Sequence, residues 1–204
     1  AVDGPPSGGS PSGGSSSTGS SSGSSSPGPS SSGGGSSSGG GSSSGGGSSS
    51  GGGSPAPVDT TAGAPSGSAV QTAIAAAKSQ RGLPYSWGGG NSRGPSYGIP
   101  PDTAIFGFDC SGLTEYAYAQ AGIAIGGTSR EQYWRFRHST VAASDLQPGD
   151  LVFWGSDSSY TSIYHVALYI GGGQVVHAPQ SGDVVRTTSM WYGKDYFGAV
   201  RPTG

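Results

Sequence analysis

Hydrophobic positions recur at helical spacing in two segments of the chain, and both segments predict helices. The first helix is predicted to begin at Ser68, which with Gln71 fits a capping box. Its apolar stripe is followed by two residues that end helices: Val70, Ile74, Ala77, then Gly82 and Pro84. The second helix is predicted from Asp109 or Cys110 to about Gln120. Its apolar stripe consists of Leu113, Tyr116 and Ala117, and Gly122 is predicted to end the helix.

Beyond residue 146 the hydrophobic pattern changes to short apolar runs between turn signals, which predicts strands. The strands are predicted over residues 151–154, 165–170 and 174–178. The sequence Gln-Pro-Gly-Asp precedes the first strand, and three consecutive glycines separate the other two. Helices followed by antiparallel strands predict an α+β fold.

The first third of the chain has a different composition. Residues 1–67 consist almost entirely of Gly, Ser, Pro, Thr and Ala, and residues 33–53 repeat Gly-Gly-Gly-Ser-Ser-Ser. Such a segment buries too little apolar surface to offset the entropy of ordering it, so we predict a disordered tether. A Gly-x-Ser-x-Gly sequence at residues 19–23 is a product of this composition and lacks the strand-turn-helix context of a hydrolase. Residues 68–204 are predicted to form one domain.

Charge excludes some classes of function. All nine basic residues lie at or beyond Lys78, and nine of the eleven acidic residues accompany them, so the predicted domain is formally neutral. Without a basic patch we expect no nucleic acid partner.

No apolar run reaches the length of a membrane span. The Ala-Val-Asp start fits a mature chain after cleavage of a signal peptide, so we expect secretion.

The single cysteine, Cys110, lies at the start of the second predicted helix. The free backbone N–H groups and the dipole at a helix N-terminus favour a thiolate, which is the nucleophilic form. The alternative is a buried, inert thiol, as is common for cysteine. A nucleophilic cysteine also requires a base and a group that orients the base.

Two of the three histidines lie in the predicted hairpin. If residues 171–173 form a three-residue loop, His165 and His177 are diagonal neighbours on one face, within reach of each other. A two- or four-residue loop would place them on opposite faces. His138 follows Arg135-Phe136-Arg137 and is predicted to lie on a solvated face. The spacing of cysteine and histidines fits no zinc motif, so we expect no metal.

Four segments in order resemble the NlpC/P60 family of cell-wall cysteine peptidases. They are Tyr-Ser-Trp-Gly-Gly at residues 85–89, Gly-Phe-Asp-Cys-Ser-Gly-Leu at 107–113, Leu-Gln-Pro-Gly-Asp-Leu-Val-Phe at 146–153 and His-Val-Ala-Leu-Tyr-Ile-Gly at 165–171. The resemblance covers residues 68–204. It implies a papain-like core in which N-terminal helices pack on an antiparallel sheet.

The resemblance also implies roles for individual residues. Cys110 would be the nucleophile, His165 the base and His177 the third, orienting residue. The hydroxyl of Tyr85 would point at the nucleophile. The residues that flank the cysteine, Asp109 and Ser111, would contact substrate. No cofactor is implied. An open groove for a polymer would be lined by aromatic residues such as Trp87, Tyr97 or Trp191.

Residues 91–105 and the sequence Ala-Pro-Gln-Ser-Gly at 178–182 are similar to the actinobacterial branch of the family. That branch typically cuts between D-glutamate and meso-diaminopimelate in peptidoglycan stem peptides, and some members act with lytic transglycosylases. The resemblance therefore implies a secreted or cell-wall enzyme, which we expect to be monomeric. Many relatives have Pro-Arg where this chain has Gly126-Gly127, so Arg130 is not assigned the anchoring role of that arginine.

Three alternatives remain open at the level of sequence. An amidase or acyltransferase would use the same cysteine and histidine. A non-catalytic wall-binding module would keep the fold without the activity. A third possibility is autoinhibition by the N-terminal segment, against which its composition argues.

Overall fold

The computed structural model describes residues 60–204, which contain three α-helices and eight β-strands. The helices are α1 (Gly67–Ser79), α2 (Cys110–Gln120) and α3 (Ser129–Arg135). The predicted tether lies outside the described residues up to residue 59. Residues 60–63, although N-terminal to the expected domain boundary, contact the domain: the backbone N–H of Thr61 donates to the carbonyl of Thr140 at 2.9 Å.

Six of the strands form one antiparallel sheet, and two form a short hairpin. The hairpin pairs β1 (Ser96–Tyr97) with β2 (Phe106–Gly107). The sheet has the order β3-β8-β4-β5-β6-β7. Its strands are β3 (Thr140–Val141), β4 (Leu151–Gly155), β5 (Ile163–Gly171), β6 (Gln174–His177), β7 (Arg186–Ser189) and β8 (Tyr196–Val200). The C-terminal strand is inserted between β3 and β4. The structure confirms the predicted α+β fold, with helices packed on an antiparallel sheet.

The sheet carries a hydrophobic cluster on each face. Val166, Leu168 and Val176 belong to the larger cluster, which includes Leu113 and Ala117 of α2. Ala167 and Val175 alternate with them and belong to a smaller cluster with Trp154. Alternation along β5 and β6 therefore places His165 and His177 on the face of the smaller cluster.

The first helix begins differently from the prediction. Helix α1 starts at Gly67, its N-cap is Ser66, and no side chain caps it. The expected capping box of Ser68 and Gln71 was wrong, because the N-cap of the helix lies two residues before Ser68. The capping box of the domain is at α3, where Thr128 and Glu131 satisfy each other's backbone groups.

The β5–β6 hairpin has the predicted register but a different turn. Leu168 pairs with Val176 and Tyr169 with Val175, as a three-residue loop requires. Gly171 pairs with Gln174, so the turn itself has two residues, with φ of 61° at Gly172 and 69° at Gly173. Two consecutive positive φ angles are those of a type I′ turn, which glycine adopts without strain. A register shift between Tyr169 and Gly171 restores the shared face of the histidines.

A buried ion pair joins the last strand to the turn before β4. The guanidinium of Arg201 donates from Nε to Asp150 Oδ1 at 2.8 Å and from Nη2 to Asp150 Oδ2 at 2.9 Å. Its Nη1 donates to the carbonyl of Gly63 at 2.9 Å, and its Nη2 to that of Asp145 at 3.1 Å. The Arg201 side chain thereby holds the segment around Gly63 against the end of the sheet.

No helix within residues 60–204 combines the length and the apolarity that crossing a bilayer requires.

Candidate active site

Cys110 is the first residue of α2 and is 2% exposed. The N-cap is Asp109, whose Oδ1 accepts from the backbone N–H of Gly112 at 2.7 Å. At this position the sulfur lies beside backbone N–H groups that have no partner within the helix. Their partial positive charge favours a thiolate and any oxyanion that forms beside the sulfur.

The carboxylate of Asp109 also ties the helix to the preceding glycine-rich loop. Its Oδ2 accepts from the backbone N–H of Gly88 at 3.1 Å, and Ser111 Oγ donates to Oδ1 at 3.0 Å. Asp109 and Ser111 are both buried. The structure gives them a role in orienting the start of α2, while their expected contact with substrate stays a prediction.

Removing this cap is expected to weaken the domain. Asp109→Ala leaves the N–H groups of Gly112 and Gly88 without their acceptor, so the free energy of unfolding should fall by about 2 kcal/mol. Urea denaturation followed by circular dichroism measures the change. Asp109→Asn keeps an oxygen for Gly112 and should lose less. Equal stability of the alanine variant and the wild type would contradict the capping role.

His165 and His177 form a direct hydrogen bond. His165 Nε2 lies 2.9 Å from His177 Nδ1, and the rings meet at 74° with their centroids 5.2 Å apart. The diagonal arrangement predicted from the hairpin register therefore brings the two rings together. His165 lies directly across from Trp154 of β4.

Two tryptophans enclose the histidine pair. Trp191 stacks on Trp154 with centroids 4.1 Å apart and planes 16° apart. Its centroid lies 5.4 Å from that of His177 and 6.0 Å from that of His165. The indoles exclude water from the imidazoles, so both histidines are less than a tenth exposed.

Burial keeps both imidazoles neutral. Desolvation, followed by the nearby charge of protonated His177, lowers the pKa of His165 from 6.5 to about 3. Desolvation and, to a smaller extent, the charge of Arg186 lower the pKa of His177 to about 4, and the charge of Asp183 opposes the shift. Neutral rings at physiological pH are able to accept a proton.

The lowered pKa values predict a loss of stability in mild acid. Each folded-state pKa lies below the unfolded value of 6.5. The unfolded chain therefore binds protons below pH 6.5 that the folded chain does not, and stability present above that pH is lost as the pH falls. Between pH 7 and 5 each ring should lower the free energy of unfolding by about 2 kcal/mol.

Urea denaturation at several pH values checks this expectation. His165→Gln should have a visibly shallower pH dependence than the wild type, whereas His138→Gln, which alters the third histidine, should keep the wild-type slope. Equal slopes in all three proteins would mean that burial of His165 does not control its protonation.

One cavity of about 180 Å³ is lined by the three residues predicted to be catalytic and by the tyrosine predicted to point at the nucleophile. Cys110, His165, His177 and Tyr85 all line it. Tyr85 is 4% exposed. Its backbone is fixed by a bridge to Phe108 and by donation of its N–H to the carbonyl of Asp183 at 2.8 Å. The cavity thus joins the N-terminus of α2 to the face of the sheet that carries the histidines.

Of the three aromatic residues expected to line a groove, Trp87 and Trp191 line this cavity. Tyr97 is not among its lining residues; it is 64% exposed on the β1–β2 hairpin and packs edge-on against Phe106. Arg130 lies in α3, where its Nε donates to the carbonyl of Thr161 at 2.7 Å. Arg130 likewise does not line the cavity.

Sequence reasoning missed part of the cavity wall. Tyr164, Pro179 and Gln180 complete the lining. Strand alternation gave no reason to place Tyr164 beside His165, because neighbours in a strand point to opposite faces. Its hydroxyl donates to Asp195, and burial together with that bond raises the pKa of Tyr164 to about 12.

Asp102 was also missed, although it is buried and hydrogen-bonded to the backbone of Trp87, which lines the cavity. Its Oδ2 accepts from the backbone N–H of Trp87 at 2.9 Å and from Ser181 Oγ at 2.7 Å. The carboxylate thereby joins two segments that line the cavity. Its partners are 15 and 79 residues away in the chain, so no local signal identifies it.

Within residues 60–204 no three His, Cys, Asp or Glu side chains lie close enough together to hold a metal ion. The expectation of a site without metal or cofactor stays a prediction.

The profile of the NlpC/P60 family matches residues 82–201, which is more than half of the chain. The chain therefore belongs to the NlpC/P60 family, as the four sequence segments predicted.

Two similar proteins are the mycobacterial RipA and RipB. The peptidoglycan endopeptidase RipA of Mycolicibacterium smegmatis is 42% identical over 122 residues, which cover 60% of this chain and 23% of the relative. The solved structure of the peptidoglycan hydrolase RipB from Mycobacterium tuberculosis is similar with a TM-score of 0.61 and 37% identity, covering 67% of this chain and 66% of the RipB chain in that structure. The chain spans 23% and 48% of the lengths of the curated RipA and RipB sequences.

A third similar protein is non-catalytic. RipD of M. tuberculosis, a non-catalytic NlpC/P60 domain protein adapted to peptidoglycan binding, is similar with a TM-score of 0.58 and 35% identity. The match covers 65% of this chain and 96% of RipD. The fold of the family therefore accommodates both hydrolysis and binding.

Proposed function

We propose that this protein is a cysteine peptidase that hydrolyses amide bonds in the stem peptides of peptidoglycan. The observation that carries the proposal is the shared cavity. It places the cysteine at the N-terminus of α2 beside two histidines that are hydrogen-bonded to each other. A nucleophile, a base and an orienting group are the parts that covalent catalysis by cysteine requires.

The hydrogen bonds assign the ring nitrogens. His165 uses Nε2 to bond His177, so its Nδ1 remains to accept the proton of the Cys110 thiol. Because burial holds His165 neutral, one ring nitrogen carries a lone pair at neutral pH, and that nitrogen is Nδ1 when Nε2 donates to His177. Cys110 attacks the peptide carbonyl as His165 takes the proton, and His165 then protonates the leaving amine. Water, activated by the same imidazole, resolves the thioester.

The helix N-terminus supplies electrostatic stabilisation in this mechanism. Attack on the carbonyl places a negative charge on its oxygen, and backbone N–H groups at the start of α2 are positioned to donate to it. Tyr85 lines the same cavity, and its hydroxyl is proposed as a further donor. No cofactor is needed for these steps.

The relatives indicate the class of substrate. RipA and RipB are a peptidoglycan endopeptidase and a peptidoglycan hydrolase. We propose that this chain cuts between D-glutamate and meso-diaminopimelate, and that it does so as a monomer that is secreted to the cell wall. Lytic transglycosylases, which cut the glycan strands, are proposed as partners because the two activities open the same polymer at different bonds.

Digestion of purified muropeptides followed by mass spectrometry tests the proposal. A newly free amine on diaminopimelate is the expected product, and it should be absent with Cys110→Ala. The same site would support an amidase or an acyltransferase, which would release a different fragment or form a cross-linked product. Either of those products would replace the endopeptidase proposal.

A binding function is the second candidate, since the similar protein RipD is non-catalytic. Sedimentation with insoluble cell walls separates the two functions. We expect both the wild type and Cys110→Ala to bind, and the wild type alone to release soluble fragments. Binding without release by either protein would establish a wall-binding module.

A further inference from the structure

His177 is held by hydrogen bonds at both of its ring nitrogens. Its Nδ1 lies 2.9 Å from His165 Nε2, and its Nε2 lies 3.3 Å from Thr188 Oγ1. In the β6–β7 register His177 pairs with Arg186, and Thr188 lies two residues further along β7. Thr188 is therefore a diagonal neighbour on the same face of the sheet. Three side chains from three adjacent strands form one hydrogen-bonded row.

The contact between the two imidazoles contains a single proton when both rings are neutral, so two arrangements are possible. In the first, His165 Nε2 carries the proton and donates to His177 Nδ1, which leaves His165 Nδ1 with a lone pair. In the second, His177 Nδ1 carries the proton, and His165 must carry its own proton on Nδ1. Only the first arrangement leaves His165 able to accept a proton from Cys110.

The two arrangements make opposite demands on Thr188. In the first, His177 Nε2 is protonated and needs an acceptor, which the hydroxyl oxygen of Thr188 provides. In the second, His177 Nε2 has a lone pair and would accept from the hydroxyl. When His165 becomes protonated, His177 Nδ1 must accept its hydrogen bond, so the reaction proceeds through the first arrangement.

We propose that Thr188 is a positioning residue that accepts the His177 Nε2–H and thereby keeps His165 in the tautomer that acts as base. The inference rests on the proposed cysteine-peptidase function. Without the hydroxyl, the first arrangement buries an N–H that has no acceptor, whereas the second buries a nitrogen lone pair. Among buried backbone groups an orphaned N–H is rarer than an under-satisfied acceptor. We extend this asymmetry to the imidazole and infer that loss of the hydroxyl shifts the pair toward the inactive arrangement.

The neighbouring threonine provides a matched control. Thr187 precedes Thr188 in β7, and its buried hydroxyl has no hydrogen-bond partner among the described residues. Valine has nearly the shape of threonine and suits a strand, so Thr188→Val and Thr187→Val make the same chemical change at adjacent positions. Thr188→Ser keeps the hydroxyl.

The test combines kinetics with nitrogen-15 NMR of the imidazoles at pH 7, using the full chain and a defined stem peptide. The chain has three histidines, and His138→Gln identifies the signal of the third. We expect Thr188→Val to lower kcat by about tenfold or more, to leave KM within about twofold, and to move the proton of His165 from Nε2 to Nδ1. Thr187→Val and Thr188→Ser should resemble the wild type in both measurements.

The outcomes separate this inference from the function on which it rests. Wild-type tautomers and kcat in Thr188→Val would overturn the role of Thr188, and so would equal losses in Thr188→Ser and Thr188→Val. If the wild type hydrolyses no stem peptide, the proposed function fails. The ring-nitrogen spectra then still decide whether Thr188 sets the tautomers.

Discussion

The Cys110→Ala variant is expected to hydrolyse stem peptides about 10⁴-fold more slowly than the wild type, or slower still. Alanine removes the atom that attacks the carbonyl, so the thioester cannot form. His165→Gln should cause a similar loss, because the thiol then has no base. Single-turnover rates on a defined stem peptide, with products quantified by mass spectrometry, measure both effects.

Residues that act as one unit show non-additive losses. The double variant Cys110→Ala, His165→Gln should therefore be no slower than the worse single variant. His138→Gln is the matched control and should retain wild-type rates, since His138 does not line the cavity. A rate for Cys110→Ala within about tenfold of the wild type would contradict the assignment of the nucleophile.

The Arg201→Met variant is expected to lose about 3–5 kcal/mol of unfolding free energy. Arg201 is 3% exposed and Asp150 is fully buried, so removing the guanidinium leaves a carboxylate without its cation inside the protein. The carbonyls of Gly63 and Asp145 also lose a donor. Urea denaturation at neutral pH measures the change.

The pair formed by Arg186 and Asp183 is the matched control. Its N–O distance is 2.5 Å, but the Arg186 side chain is 46% exposed. Because water screens such a pair, Arg186→Met should change the free energy of unfolding by less than about 1 kcal/mol. Similar losses in the two variants would mean that burial does not set the importance of the Asp150–Arg201 pair.

Local patterns predicted the elements that carry the proposed catalytic residues. The apolar stripe and the following glycine placed α2 to within a residue, and with it the position of Cys110 at a helix start. The period of two along β5 and β6, together with the glycine turn, predicted that His165 and His177 share a face. The first inference needs only the geometry of a helix turn. The second reached the correct face although the turn has two residues, because the register shift between Tyr169 and Gly171 compensates for the shorter turn.

Other parts depend on contacts between distant residues and could not be predicted in this way. Strand β8 pairs with β3 and β4, and its short sequence has no turn signal that specifies this insertion. The Thr128–Glu131 capping box was a sequence signal for helix α3. The helix was not predicted because most residues of this segment are polar. The stacking of Trp191 on Trp154 and the two bonds of Asp102 arise only when the chain folds.

Alkylation of Cys110 by iodoacetamide as a function of pH tests the central claim most directly, because the chain has a single cysteine. If His165 accepts the thiol proton and the resulting imidazolium pairs with the thiolate, the wild-type rate should vary little between pH 6 and 8. In His165→Gln the rate should rise steeply with pH, because the thiolate fraction of a thiol without an imidazolium partner grows with pH. The same steep rise in both proteins would contradict the account.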